Sequence, residues 1–274
     1  MPEVPLICYN KYVIYILQQF AHFCNSGAKK GGLMEQIYTI PINEAFERSR
    51  DDHSCGCPIC SLYRMLEENE LDLILGASMM EPDVRIQTNK LGFCKTHYDM
   101  MFVRKNRLGM ALTLESHLNE LRGEVSGGGL AGLLGKAGDK QINRISKLED
   151  SCYICSRIEY NFSRLLSNVV YLWKNDPEFR VKYAVQPYFC LPHYRRLLES
   201  AKAEMDKKQF SAFEKQSAEI VEEYFDALRE DVSWFCKKFD YRYDQEPWYN
   251  SKDAVERAIK FLCSDLHRPP EKKK

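Results

Sequence analysis

The sequence predicts an all-α protein built from two related helical units, each clamped by a Cys3His metal site. Three observations carry that expectation. Apolar residues recur at helical spacing through most of the 274 residues. Alternating strand patterns are scarce, with Ile37 to Ile42 the best candidate and equally readable as an extended lead-in. A set of three cysteines and one histidine occurs twice, at nearly equal spacing.

Taken in order, the chain first offers residues 1–33. Their apolar run from Tyr12 to Phe23 is interrupted by Gln18, Gln19 and His22 and is too short to span a bilayer. Lys29-Lys30-Gly31-Gly32 precedes Met34, so these residues are read as an extension upstream of a natural start. A first helical unit is expected over 34–122. Within it, segment 60–75 aligns Leu62, Leu66 and Leu73, and segment 95–122 carries two apolar stripes that point to burial on more than one side. A Gly-rich linker is expected over 123–148, with seven glycines between Gly123 and Gly138. It is not a phosphate loop, because Gly135-Lys136 is followed by Ala137 rather than Ser or Thr. The second unit, 149–268, opens with segment 156–174, on which Ile158, Phe162, Leu165, Val169 and Leu172 repeat at helical spacing. One or two long helices follow over 192–240, and a last helix runs from Ser251 to Asp265, with a tail over 269–274.

The ligand pattern is the most specific signal. Cys57-Pro-Ile-Cys60 is answered by Phe93-Cys94-Lys-Thr-His97, and Cys152-Tyr-Ile-Cys155 by Phe189-Cys190-Leu-Pro-His193. The second cysteine of each pair precedes the next by 34 and 35 positions, respectively. Three thiolates and one imidazole suit tetrahedral Zn²⁺, and four protein ligands leave no open position for water. Two zinc ions per chain are expected, one held by Cys57, Cys60, Cys94 and His97, the other by Cys152, Cys155, Cys190 and His193. Iron is the competing occupant, since the same donors hold it too. Disulfides are disfavoured in a chain of this size without an export signal. His53 and Cys55 lie beside the first quartet and are read as neighbours rather than ligands. Cys8, Cys24, Cys236 and Cys263 default to packing, and His117 and His267 to surface or core roles.

The match between halves extends past the ligands. Glu81-Pro82-Asp83 parallels Asp176-Pro177-Glu178 at the offset of 95 that separates Cys57 from Cys152. Acid, proline, acid is a helix start. Arg85 and Arg180 also correspond, and are expected to pair with a carboxylate or cap a carbonyl.

On these motifs, with Ile37–Phe46 and Tyr243–Trp248, the chain resembles a bacterial family of unknown function numbered 6062, found mainly in anaerobic Firmicutes. The resemblance covers residues 34–265. It implies a cytoplasmic protein and assigns no activity.

Composition narrows the function. Lys plus Arg and Asp plus Glu are 39 each, so the balance gives no general affinity for nucleic acid or membranes. The leading expectation is a zinc-stabilised helical scaffold with a protein partner. A thiol-based redox or metal sensor is the second. A nucleic-acid-binding zinc protein rests on Arg104-Lys105-Asn106-Arg107 and Arg195-Arg196. A metalloenzyme would use the first site, beside His53 and Cys55. No catalytic constellation stands out.

Overall fold

The computed structural model describes residues 33–125 and 137–267; all but the last residue of the predicted extension over 1–33, with Cys8 and Cys24, the middle of the Gly-rich linker with Leu130, Leu133 and Leu134, and the tail lie outside them. Among the described residues there are eleven α-helices, three short 3-10 turns and no strand. Among the described residues, no helix is long and apolar enough to cross a membrane.

Helix α1 (Leu33–Asp51) takes up the segment that offered a strand. Ile42, Ala45, Phe46 and Ser49 are buried at i, i+3, i+4 and i+7, a helical stripe, and this burial overrides the β-branched character of Ile37 to Ile42. Helix α2 (Pro58–Leu75) starts with Pro at N1, and α3 (Pro82–Leu91) does the same. Helices α4 (Lys95–Val103) and α5 (Arg107–Val125) divide a segment that reads as continuous in sequence. The division is made by Asn106. Its side chain accepts from the Gly109 amide at 2.9 Å and donates to the Leu75 carbonyl, giving α5 a new start.

Helix α6 (Ala137–Glu149) takes up the second part of the predicted linker and runs one residue past it. Arg144 ties it to α3 through the Asn89 and Lys90 carbonyls, both at 3.1 Å. Then come α7 (Tyr153–Asn175), α8 (Pro177–Ala184), α9 (Leu191–Glu204) and α10 (Lys207–Lys237). The long run over 192–240 is therefore two helices, separated where Asp206 accepts from the Lys208 and Gln209 amides, both at 2.9 Å. The last helix, α11 (Ala254–Cys263), is shorter than the sequence predicts. Asp253 rather than Ser251 is its cap residue, and the buried Ser251 hydroxyl donates instead to the Trp248 carbonyl at 2.7 Å.

Helices α1–α5 and α6–α10 follow one order, and Cys57 and Cys152, Glu81 and Asp176, and Cys94 and Cys190 are N-cap residues at corresponding places. Asp176 accepts from the amides of Glu178 and Phe179, whereas Glu81 makes no such bond. Arg85 and Arg180 both cap carbonyls: Arg85 reaches Leu112 at 2.9 Å, and Arg180 reaches Trp173 at 3.0 Å. The two halves pack through α2 against α7, with α1 also lying on α7. The core beside this contact is aromatic. Phe46, Phe179, Tyr183 and Phe189 are fully buried, with the Phe46 ring 4.9 Å from Phe179 and the Tyr183 ring 4.9 Å from Phe189.

Gly92 shows how local backbone positions the ligands. It ends α3 at φ +61°, and a Cβ there would stand 2.6 Å from Leu148 Cδ1. Its carbonyl accepts from the Tyr153 amide at 2.9 Å, placing the start of α7 beside Cys94. Gly92→Ala combines a left-handed backbone with a clash, so a loss of roughly 1–3 kcal/mol is expected. Calorimetry of the variant against the wild type measures it as a fall in Tm.

Candidate metal centres

Cys57, Cys94, Cys152 and Cys190 are each the N-cap of a helix, and Cys60, His97, Cys155 and His193 each lie in the first turn that follows. An N-terminus carries unpaired amides and partial positive charge, which favours thiolates. The spacing of two residues lets one helix start aim both side chains at one point.

The structure brings all eight predicted ligands into two clusters, but not in the predicted pairing. One cluster is Cys57, Cys60, Cys190 and His193; the other is Cys94, His97, Cys152 and Cys155. Each therefore combines the Cys-x2-Cys of one half with the Cys-x2-His of the other. The physical reason is the packing of α2 against α7. It sets the start of α2 beside the start of α9, and the start of α7 beside that of α4.

The first cluster is centre A and the second centre B. In centre A, His193 Nδ1 lies 3.9, 3.3 and 3.1 Å from the sulfurs of Cys57, Cys60 and Cys190, and the Cys60 and Cys190 sulfurs are 3.6 Å apart. In centre B, His97 Nδ1 lies 3.2, 3.3 and 3.4 Å from Cys94, Cys152 and Cys155, and the Cys94 and Cys155 sulfurs are 3.9 Å apart. Around one tetrahedral zinc ion, sulfurs at ~2.3 Å and nitrogen at ~2.0 Å stand about 3.8 Å (S–S) and about 3.5 Å (S–N) from each other. Both clusters fit that shape.

Their electrostatics point the same way. In centre A, burial pushes the Cys57 thiol well up, and hydrogen bonding to Cys190 pushes Cys60 up to about 12. The Cys190 thiol is held far down because its thiolate accepts from Cys57 and Cys60. In centre B, Cys152 is down at about 3, its thiolate accepting from Cys155, and Cys155 is raised in turn. One thiolate forms readily in each cluster, and its neighbours hold their protons against it. A divalent cation bound there would displace those protons. Loading metal-free protein is thus expected to acidify a weakly buffered solution, and affinity to rise with pH and be lost as pH falls, because protons compete at Cys57, Cys60 and Cys155. An indicator dye during zinc titration measures the protons; a pH-independent affinity would contradict it.

Several residues at the centres carry no spacing signal. Glu67, buried on α2, stands 3.2 Å from His97 Nε2 and accepts from His267 Nδ1 at 2.6 Å. Burial pushes this carboxyl up, but the two histidines more than offset that and hold it at about 2. A carboxylate behind a ligand histidine fixes its ring and tautomer. Burial pulls His97 down, and bonding to Cys152 and Glu67 outweighs it, leaving it at about 10. Ser264 and Asp265 approach centre A from the turn after α11. Comparing halves at the offset of 95 does flag Glu67, which corresponds to Phe162 in the second half.

The remaining candidates are placed as follows. Neither His53 nor Cys55 joins a cluster; His53 is exposed, and Cys55 bonds Asp52 at 3.7 Å. His117 is buried, 3.0 Å from the Asn89 carbonyl. Cys236 and Cys263 do not pack in the core but are exposed. His267 is neither a surface nor a core residue alone, since it supports Glu67 while remaining partly exposed.

No curated protein and no solved structure matches the chain significantly. A family model does match over residues 33–269, and the chain belongs to that family, a family of unknown function (DUF6062).

Proposed function

We propose that this protein is a scaffold whose two halves are cross-linked by two structural zinc ions, presenting a surface to a protein partner. The observation that carries the reading is the crossed ligand set, since each cluster takes two ligands from either half and so ties distant helices together. Cys57, Cys60, Cys190 and His193 would hold one ion, and Cys94, His97, Cys152 and Cys155 the other. Bound there, zinc would supply cross-linking rather than hydrolysis, because each set of four donors already completes a tetrahedron. Softness of the donors favours zinc over magnesium or calcium.

The partner surface is the end of α10 and the loop after it. Tyr241 is 88% exposed, Phe239 77% and Tyr249 68%. Trp234 and Tyr249 line a groove of about 510 Å³ together with Arg229, Asp231 and Lys237. Exposed aromatic groups edged by charge suit a protein contact. Three arginines of the basic runs are engaged with carboxylates and Arg107 lies over the Phe102 ring at 3.6 Å, which leaves these runs less suited to nucleic acid. Arg104 pairs with Glu68 and Asp72, Arg195 with Glu199 at 2.5 Å, and Arg196 with Glu159 at 2.6 Å.

Elemental analysis of anaerobically purified full-length chain tests the metal reading. Two zinc ions per chain, with loss of helical signal on chelation, are the expected result. Iron, or a folded chain without metal, overturns it.

A further inference from the structure

The two centres differ in three respects. All four ligands of centre A are buried, whereas in centre B Cys94 and Cys155 are partly exposed. The turn after α11 closes over centre A. There the Ser264 hydroxyl sits 3.2 Å from Cys190 Sγ, and the Asp265 amide donates to Cys60 Sγ at 3.4 Å. An ion pair from Arg64 to Asp265 at 2.9 Å holds the turn in place.

The third difference lies behind the histidines. Phe162 and Glu67 occupy equivalent positions on α7 and α2. The Phe162 ring packs 5.4 Å from the His193 ring, an apolar backing. Glu67 instead backs His97 with a hydrogen bond, and its other partner, His267, has a side chain 39% exposed. Support for His193 is therefore dry and enclosed, while support for His97 runs out to solvent. Nothing in the packing of α2 on α7 demands a carboxylate there, since the equivalent place accepts a phenyl ring.

We infer that centre B is a metal-exchange site, where a small ligand with thiol or nitrogen donors takes and returns a soft divalent ion, while centre A keeps its ion. This rests on the reading of both clusters as metal sites. Exchange is fast when an incoming donor reaches the ion before the protein's ligands have left. The partly exposed edge formed by Cys94 and Cys155 allows that approach. At centre A the C-terminal turn must first open. The ion passes from the protein's thiolates to the incoming donors; the vacated thiolates take up protons, which incoming thiols release as they bind the ion and which solvent or buffer supplies to match nitrogen donors, and no atom changes oxidation state.

The test uses the full-length zinc-loaded chain and the chromophoric chelator 4-(2-pyridylazo)resorcinol in excess. One equivalent is expected to leave fast and the second at least about tenfold slower, the difference being a local opening. Iodoacetamide added after the fast phase should then modify Cys94, Cys152 and Cys155 while Cys57, Cys60 and Cys190 stay protected, as read by peptide mass mapping. That readout needs no variant. Cys155→Ser should lack the fast equivalent and retain the slow one. Release of both ions with one rate constant, or protection mapped to centre B instead, overturns this inference alone. A chain that holds no zinc overturns it together with the metal reading.

Discussion

A chain carrying Cys60→Ser and Cys94→Ser is expected to lose both metals, whereas one carrying Cys60→Ser and Cys190→Ser should keep one ion per chain. The two variants remove the same number of thiolates, so charge and composition do not separate them. They differ only in where the thiolates belong. Cys60 and Cys190 share centre A, with sulfurs 3.6 Å apart, and Cys94 belongs to centre B. Pairing within each half predicts the reverse outcome, with the Cys60 and Cys94 variant keeping an ion. The energetic consequence is large. Structural zinc contributes apparent binding free energies of about 10–16 kcal/mol, against a total stability of roughly 5–15 kcal/mol for a typical domain. The variant without metal is therefore expected to be largely unfolded by circular dichroism. Metal analysis after refolding in excess zinc, together with the spectra, checks both statements. Equal metal content in the two variants would refute the crossed arrangement.

The same comparison separates what is legible in the sequence from what is not. All eight clustered residues are legible, because two Cys-x2-Cys pairs and two Cys-x2-His pairs at matched spacing seldom arise by chance. Their pairing is not. Two half-sites of each kind combine in two ways, and a separation of 34 or 35 residues permits either. The choice is made by α2 lying on α7, a contact between surfaces about 95 residues apart in the chain. Helix type is legible where apolar spacing is long and regular, as on α7. It fails at Ile37 to Ile42, where β-branched residues suggest extension and burial of Ile42 and Phe46 enforces a helix. Boundaries set by one side chain, such as Asn106 before α5, are also invisible to periodicity. The turn of Ser264, Asp265 and His267 has no motif, since its role exists only once α11 has delivered it to the centres.

A break in the chain between Val125 and Ala137 is expected to leave the zinc-loaded protein in one piece, and chelation is then expected to separate the fragments. The reason lies in which interactions cross the break. Residues before it supply Cys57, Cys60, Cys94 and His97, and residues after it supply the other four. Every centre thus has two ligands on each fragment, and neither fragment contains a complete tetrahedron in the folded arrangement. Apolar contact also crosses the break, through α1 and α2 against α7 and through Phe46 against Phe179. That contact alone must then carry the association once metal is gone, and it must also offset the translational entropy of a second chain, a cost of at least about 4 kcal/mol. With metal, each ion acts as a cross-link between fragments, as a disulfide would, but one that a chelator removes. The measurement is size-exclusion chromatography of protein cleaved at a protease site engineered into residues 126–136. A single peak at the intact size before chelation, and two smaller or unfolded species afterwards, is the expected pattern. Separation before chelation would mean that the ions do not bridge the halves, while continued association in a metal-free state would mean that the aromatic core alone holds them. Under the alternative pairing, where each fragment owns a whole site, chelation would unfold the fragments but metal would give them no reason to stay together, so metal-dependent association discriminates the two arrangements without altering a single ligand.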